Sequence, residues 1–101
     1  MHLVQILLPL TDNDGRAFEA GDYARVRGEL AERFGGITTF TRAPAEGVWK
    51  DAGRTSRDDL VVFEVMAPAL DRAWWEGYRA ELERRFRQEA IVARAMRVEM
   101  L

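Results

Sequence analysis

A chain of 101 residues, of which 48% are hydrophobic and 32% charged, has the composition of one globular domain and is too short for two. The absence of cysteine excludes a disulfide framework, a thiolate nucleophile and a zinc site built on cysteine. The net charge is −2, and arginines are interspersed with glutamates along the predicted helices. The negative net charge and the mixing of arginine with glutamate exclude the one-sided basic surface that nucleic-acid binding requires.

The first apolar run extends only from Leu3 to Leu10, which is too short to cross a membrane. No basic segment precedes this run and no cleavage site of small residues follows it, so a signal peptide is not expected. We therefore expect a cytoplasmic protein that does not bind a membrane.

The chain begins with a predicted β-strand at His2–Leu8, whose alternate residues separate into two faces. Pro9 is suited to the end of the strand because it has no N–H to donate to a neighbouring strand. The segment 12–15, Asp-Asn-Asp-Gly, has the composition of a turn. One face of the strand is formed by Val4, Ile6 and Leu8, and the other by Leu3, Gln5 and Leu7.

An amphipathic helix is predicted from about Glu19 to Phe34, because apolar residues recur there at intervals of three and four. Gly35 and Gly36 predict its end, since glycine readily adopts the left-handed conformation that closes a helix. The following segment, Ile37–Arg42, is rich in β-branched residues and predicts a second strand. The apolar face of the helix consists of Tyr23, Val26, Leu30 and Phe34.

The second half of the chain again predicts strand, helix and strand. After a predicted polar loop at Asp51–Arg57, the segment Leu60–Met66 is apolar except for Glu64, which is typical of a central strand. A helix is predicted from about Asp71 to Arg87 and a last strand at Ile91–Met100. The apolar stripe of this helix is Trp74, Tyr78, Leu82 and Phe86, with Trp75 one position off it, and Glu81–Arg85 and Glu83–Arg87 are predicted ion pairs.

This order of elements, β-α-β-β-α-β, resembles the ferredoxin-like fold. The chain length and the mixed second sheet face are similar to those of the dimeric α+β barrel group, whose protomers pack sheet against sheet. The resemblance implies one α+β domain over residues 1–101, with an antiparallel sheet, two helices on one face, and a homodimer. The group includes small monooxygenases, isomerases and haem-handling proteins, so the fold alone selects no function. The segments that resemble uncharacterised small bacterial proteins of this type are 34–38, 46–49 and 74–89.

The candidate site is a row of three polar residues on the second sheet face. If Val4, Ile6 and their equivalents on the other strands face the helices, strand alternation places Gln5, Glu64 and Arg94 on the opposite side. In a ferredoxin-like sheet the first strand lies between the third and fourth, so Gln5 would lie between Glu64 and Arg94. Such a row could bind a small polar or aromatic ligand in an apolar cavity. The alternative is a satisfied ion pair inside a dimer interface.

Two further residues are candidate ligand contacts. Trp49 lies between Val48 and Lys50 in a predicted loop or edge, where an aromatic ring can cover a pocket. Arg42 or Arg54 could then bind an anionic group of the ligand. The alternative is that Trp49 closes the end of the core, which is the more common role of such a residue.

We expect neither a metal nor a cofactor. His2 is the one histidine of the chain and has no second histidine or cysteine to share a metal with. The turn at 12–15 resembles part of a calcium loop, but Gly21 stands where the bidentate glutamate would be needed. The sequence also lacks a glycine-rich phosphate loop.

Three functions remain open. The first is a homodimeric small-molecule-binding domain with its pocket on or beside the second sheet face. The second is a cofactor-free enzyme, monooxygenase-like or isomerase-like, with Glu64 as base and Trp49 orienting the substrate. In that enzyme Arg94 or Arg42 would stabilise a developing anion, but an arginine beside Glu64 weakens it as a base, which counts against this function. The third is a structural interaction module without a ligand.

Overall fold

The computed structural model describes the backbone of residues 1–42, 50–51, 54–55 and 60–101, and the side chains of 1–38 and 60–101. This part of the chain contains two helices and six strands, with four of the strands between the helices. The elements are β1 His2–Pro9, α1 Ala20–Phe34, β2 Thr38–Arg42, β3 Lys50–Asp51, β4 Arg54–Thr55, β5 Leu60–Ala67, α2 Arg72–Arg85 and β6 Val92–Arg97.

Four of the strands form one antiparallel sheet in the order β2-β5-β1-β6. The two short strands β3 and β4 pair with each other, so the polar loop predicted at Asp51–Arg57 is wrong at Asp51, Arg54 and Thr55. The sheet order places β1 between β5 and β6, so both edges of this strand are hydrogen-bonded to neighbouring strands. The result is a small α+β protein, compatible with a ferredoxin-like fold.

Side chains along β1 and β5 alternate between the two faces of the sheet, as predicted, so that one face is covered by the helices and the other is open. Side chains of even-numbered residues in β1 and odd-numbered residues in β5 lie in the core, with Ile6, Leu8 and Phe63 at most 1% exposed. Both helices pack on this same face, because the core joins Val26 and Leu30 of α1 to Leu82 of α2. The open face is the opposite side, formed by Leu3, Gln5, Leu7, Val62, Glu64, Met66, Val92, Arg94 and Met96.

Helix α1 begins and ends close to the predicted positions. At its start the Asp22 carboxylate accepts a hydrogen bond from the backbone N–H of Glu19 at 3.2 Å, which satisfies one of the free donors of the first turn. At its end Gly35 has a φ of 77°, and its N–H donates to the carbonyl of Ala31. Only glycine adopts this conformation without steric cost, so the predicted helix end is confirmed.

Helix α2 is rotated slightly from the predicted stripe. Asp71 caps it by accepting a hydrogen bond from the backbone N–H of Trp74 at 3.1 Å. Trp75 is 7% exposed and stacks on Phe34 at 5.2 Å between ring centroids, whereas Trp74 is half-buried. The buried face of the helix therefore includes Trp75, which the strict spacing of four had placed at its edge.

A hydrogen-bonded charge network joins the two helices on their outer side. Glu29 of α1 accepts two hydrogen bonds from the Arg85 guanidinium, at 2.6 and 2.8 Å, and one from the Tyr78 hydroxyl at 3.0 Å. Arg85 also donates to Glu81 at 2.9 Å, which confirms that predicted ion pair. The bonds from Arg85 hold the pKa of Glu29 below its usual range, while burial raises the pKa of Tyr78.

The second predicted ion pair on α2, between Glu83 and Arg87, is wrong. The helix ends at Arg85, and Arg87 lies beyond it with a φ of 50°, so it does not share a helix face with Glu83. Arg87 instead approaches Asp12 at 3.4 Å. Glu83 accepts hydrogen bonds from Arg79 and from the backbone N–H of Ile91, each at 3.0 Å, and thereby ties the end of α2 to the start of β6.

Candidate functional site

The three polar residues predicted on the open face are brought together as a continuous row. Gln5 of β1 lies opposite Glu64 of β5 on one side and opposite Arg94 of β6 on the other. Its amide nitrogen donates to Glu64 Oε1 at 2.7 Å, and its amide oxygen accepts from Arg94 Nε at 2.8 Å. The predicted placement is confirmed, and the role of the three residues in ligand binding stays a prediction.

The row leaves hydrogen-bonding capacity for a further molecule. Within the part of the chain whose side chains are described, Glu64 uses only Oε1 and Arg94 only Nε. Among the described side chains, the second carboxylate oxygen and the two terminal guanidinium nitrogens have no partner and are able to accept or donate. Because Gln5 separates the opposite charges, they do not neutralise each other by direct contact. The arrangement presents an anionic end at β5 and a cationic end at β6.

A concave surface lies beside the anionic end of the row. Glu64 lines an open depression of about 380 Å³, together with Leu3 and Met66 of the open face. Its other wall is the connection from α1 to β2, including Gly35 and Thr38. The depression is mixed in polarity, and its volume lies within the range of small-molecule sites.

A second cavity, which the sequence did not reveal, lies between α2 and the edge strand β6. It has a volume of about 170 Å³ and is lined by Trp75 and by Arg72 and Arg79 of the helix. Its opposite wall is Ala93 and Ala95, whose small side chains leave space beneath the helix. The feature of the sequence that could have indicated this cavity is the pair of alanines on the helix-facing side of the last strand, opposite a helix rich in arginine.

Of the two remaining candidate residues, Arg42 and Trp49, the structure describes only the backbone of Arg42. Arg42 ends β2 opposite Leu60, whereas Thr38 at the start of that strand lies opposite Glu64. Four residues of strand separate these positions, which corresponds to about 13 Å along the sheet. The side chain of Arg42, and Trp49 altogether, lie outside the described residues. Their roles as ligand contacts stay predictions.

The described residues contain no group of three or more histidine, aspartate or glutamate side chains placed to hold a metal ion. Of the two helices described, neither is both long and apolar enough to cross a membrane.

The fold and the polar row define a small α+β protein whose antiparallel sheet has one face uncovered by helices. No protein-family model matches the sequence, and no curated protein matches it. Two solved structures of a phage SAM lyase are similar to it, one in the apo state and one in complex with S-methyl-5'-thioadenosine. Each has a TM-score of 0.62 and 16% sequence identity over 94% of this chain, and 78% and 79% of the lyase chains are covered. At this identity the likeness shows a common fold.

Proposed function

We propose that this chain is a small-molecule-binding domain that works as a homodimer, with its ligand in the depression beside Glu64. The observation that carries this proposal is the half-buried Glu64 carboxylate, which Gln5 holds at 2.7 Å and which lines a depression of about 380 Å³. A polar group fixed in orientation within a concave, partly apolar surface is typical of small-molecule sites. The free carboxylate oxygen favours a ligand that carries a hydrogen-bond donor or a positive charge.

Homodimerisation is supported by the apolar character of the open face. In a single chain Met66 is 39% exposed, Met96 45% and Val92 52%, and these residues lie on one side of the sheet. A solvated face of an antiparallel sheet would carry polar residues at such positions. A second copy packed on this face, as in the dimeric α+β barrel group, would remove them from water. We expect an interface of more than about 1,000 Å² in total, and a monomer in sedimentation at micromolar concentration would contradict it.

Ligand binding is tested by a thermal-shift screen of small amines, amino acids and nucleosides that includes S-methyl-5'-thioadenosine, followed by calorimetric titration of the compounds that bind. Glu64→Gln keeps the shape of the side chain and removes its charge, so we expect it to weaken binding about tenfold or more. Glu32→Gln is the matched control, since Glu32 is an exposed carboxylate on α1. The proposal fails if no compound binds, or if Glu64→Gln binds as tightly as wild type.

A second candidate function is an enzyme that acts on S-adenosylmethionine. The observation that favours it is the fold shared with a phage SAM lyase over 94% of this chain. In such an enzyme the Glu64 carboxylate would interact with the positively charged sulfonium of the substrate. Gln5 lies between Glu64 and Arg94 and bonds to both, which leaves strand β1 between the guanidinium and that charge within one chain.

The enzyme is tested by incubating the protein with S-adenosylmethionine and measuring the release of S-methyl-5'-thioadenosine by chromatography. We expect product with wild type and with Glu32→Gln, and none above background with Glu64→Gln. If wild type releases no product, the enzyme is excluded, whereas the binding domain is judged by the titration alone.

A further inference from the structure

The open face has a symmetry that is visible in the strand register. Along β1, each outward residue has one neighbour on β5 and one on β6 at the same level, so the face is a grid of three rows and three columns. The top row, at the level of Leu3, and the bottom row, at the level of Leu7, are apolar at every position. The middle row changes from acid to amide to base. The rows are Met66–Leu3–Met96, Glu64–Gln5–Arg94 and Val62–Leu7–Val92.

This grid is complementary to itself about one particular axis. We infer that two copies of the chain pack their open faces together about a two-fold axis parallel to β1, which passes over Leu3 and Gln5. This inference rests on the homodimer of the proposed function and adds the orientation of its two copies. Rotation about this axis exchanges the β5 column with the β6 column and leaves each row at its own level.

The consequence for each row follows directly. Glu64 of one copy then lies over Arg94 of the other, and the same contact occurs a second time because the interface is isologous. Met66 lies over the second copy's Met96, and Leu3 lies over its own counterpart on the axis. Val62, which is 2% exposed within one chain, lies over the second copy's Val92, which is 52% exposed in a single chain.

A two-fold axis along the middle row, perpendicular to β1, is disfavoured by charge. It would place Glu64 over Glu64 and Arg94 over Arg94, and like charges in a desolvated interface are strongly unfavourable. The inferred orientation instead places each Glu64 carboxylate across from a guanidinium of the other copy, and a ligand in the depression would share that carboxylate with the guanidinium. It also places the second copy over the depression beside Glu64, so the proposed ligand site is complete only in the pair.

Crosslinking distinguishes the two orientations. The chain has no cysteine, so Leu3→Cys and Leu7→Cys introduce single reactive thiols. Packed sheets lie about 10 Å apart, and a bis-thiol reagent that spans about 8 Å can therefore join facing cysteines. We expect Leu3→Cys to crosslink to itself, since it lies on the axis. A crosslink that forms only in a mixture of Leu3→Cys and Leu7→Cys would overturn the inferred orientation and leave the homodimer intact.

Charge reversal tests the contact that selects the axis. We expect Glu64→Arg and Arg94→Glu each to raise the dimer dissociation constant at least about tenfold in sedimentation velocity, because each creates two like-charge contacts. An equimolar mixture of the two variants should form a heterodimer with an affinity near that of wild type, since all its facing charges are opposite. Circular dichroism checks that each variant is folded. Single reversals that leave the dissociation constant unchanged would overturn the inference, and a monomeric wild type would overturn the proposed homodimer as well.

Discussion

Truncation of Leu82 tests whether the helix-covered face has the core described above. Leu82 lies on α2, is 0% exposed, and belongs to the same core as Leu30 of α1 and Phe63 of β5. Leu82→Ala removes three carbon atoms from the centre of this layer. Leucine and alanine are both good helix formers, so the helix itself should be little affected by the change.

The expected loss of stability has two parts. At about 0.8 kcal/mol for each buried carbon, the removed atoms account for a little over about 2 kcal/mol of transfer free energy. The cavity left among rigid neighbours adds to this, which brings the expected loss to about 3–4 kcal/mol. For a domain of this size the melting temperature should fall by about 12–30 °C. Such a loss is a large fraction of the total stability of a small domain.

The free energy of unfolding is measured by urea denaturation followed by circular dichroism, at one protein concentration for all variants because a dimer is stabilised by mass action. Leu101→Ala is the matched control, since the same side chain is fully exposed there, and its effect should be within about 0.5 kcal/mol. A loss of less than about 1 kcal/mol for Leu82→Ala would refute the assigned core face of α2.

Three further predictions test the helices, each by urea denaturation. Gly35→Ala should lower the free energy of unfolding by about 1 kcal/mol, because Gly35 has a φ of 77°. Gly28→Ala, inside α1 with open space around it, should raise the free energy of unfolding by about 0.5–1 kcal/mol. Equal effects of the two substitutions would contradict the assigned helix end. Asp71→Ala should lower the free energy of unfolding by about 1 kcal/mol through loss of the α2 cap, and Asp71→Asn should retain most of the stabilisation by the cap. Glu29→Gln should cost about 1 kcal/mol at neutral pH. Arg85 lowers the pKa of Glu29 in the folded state. The loss of unfolding free energy caused by Glu29→Gln should therefore be complete above the pKa of the unfolded chain, near 4.5, and should vanish as the pH falls through the lowered pKa. A loss that does not depend on pH would contradict this cause.

The polar row was predictable because β-strands alternate strictly. Leu60–Met66 is apolar on both sides except at Glu64, and the core-facing residues of β1 were clear from their sequence. Once the face of each strand was assigned, Gln5 and Glu64 had to lie on the same side, since a shift of one residue would have moved a charge into the core. The observed register agrees with this reasoning.

The depression beside Glu64 and the cavity beneath α2 could not be predicted from these patterns. Each is lined by residues from segments distant in the chain, such as Gly35 with Glu64, or Trp75 with Ala93. The contact of Glu29 with Arg85 likewise joins residues 56 positions apart. Periodicity assigns a residue to a face of its own element, but it carries no information on which side chain of another element lies opposite.

The sequence by itself determined the helices, the main strands and the face on which most side chains lie, because these follow from local spacing of apolar residues and from glycine at a helix end. Only the tertiary structure decided that Trp75 is buried more deeply than Trp74, that Arg87 leaves the helix and contacts Asp12, and that Gln5 bridges Glu64 and Arg94 with its amide in one orientation. The first two features depend on how α2 packs and ends over the sheet, and the third depends on the side chains that meet on the open face. The physical reason is that packing energy is shared among residues far apart in the chain.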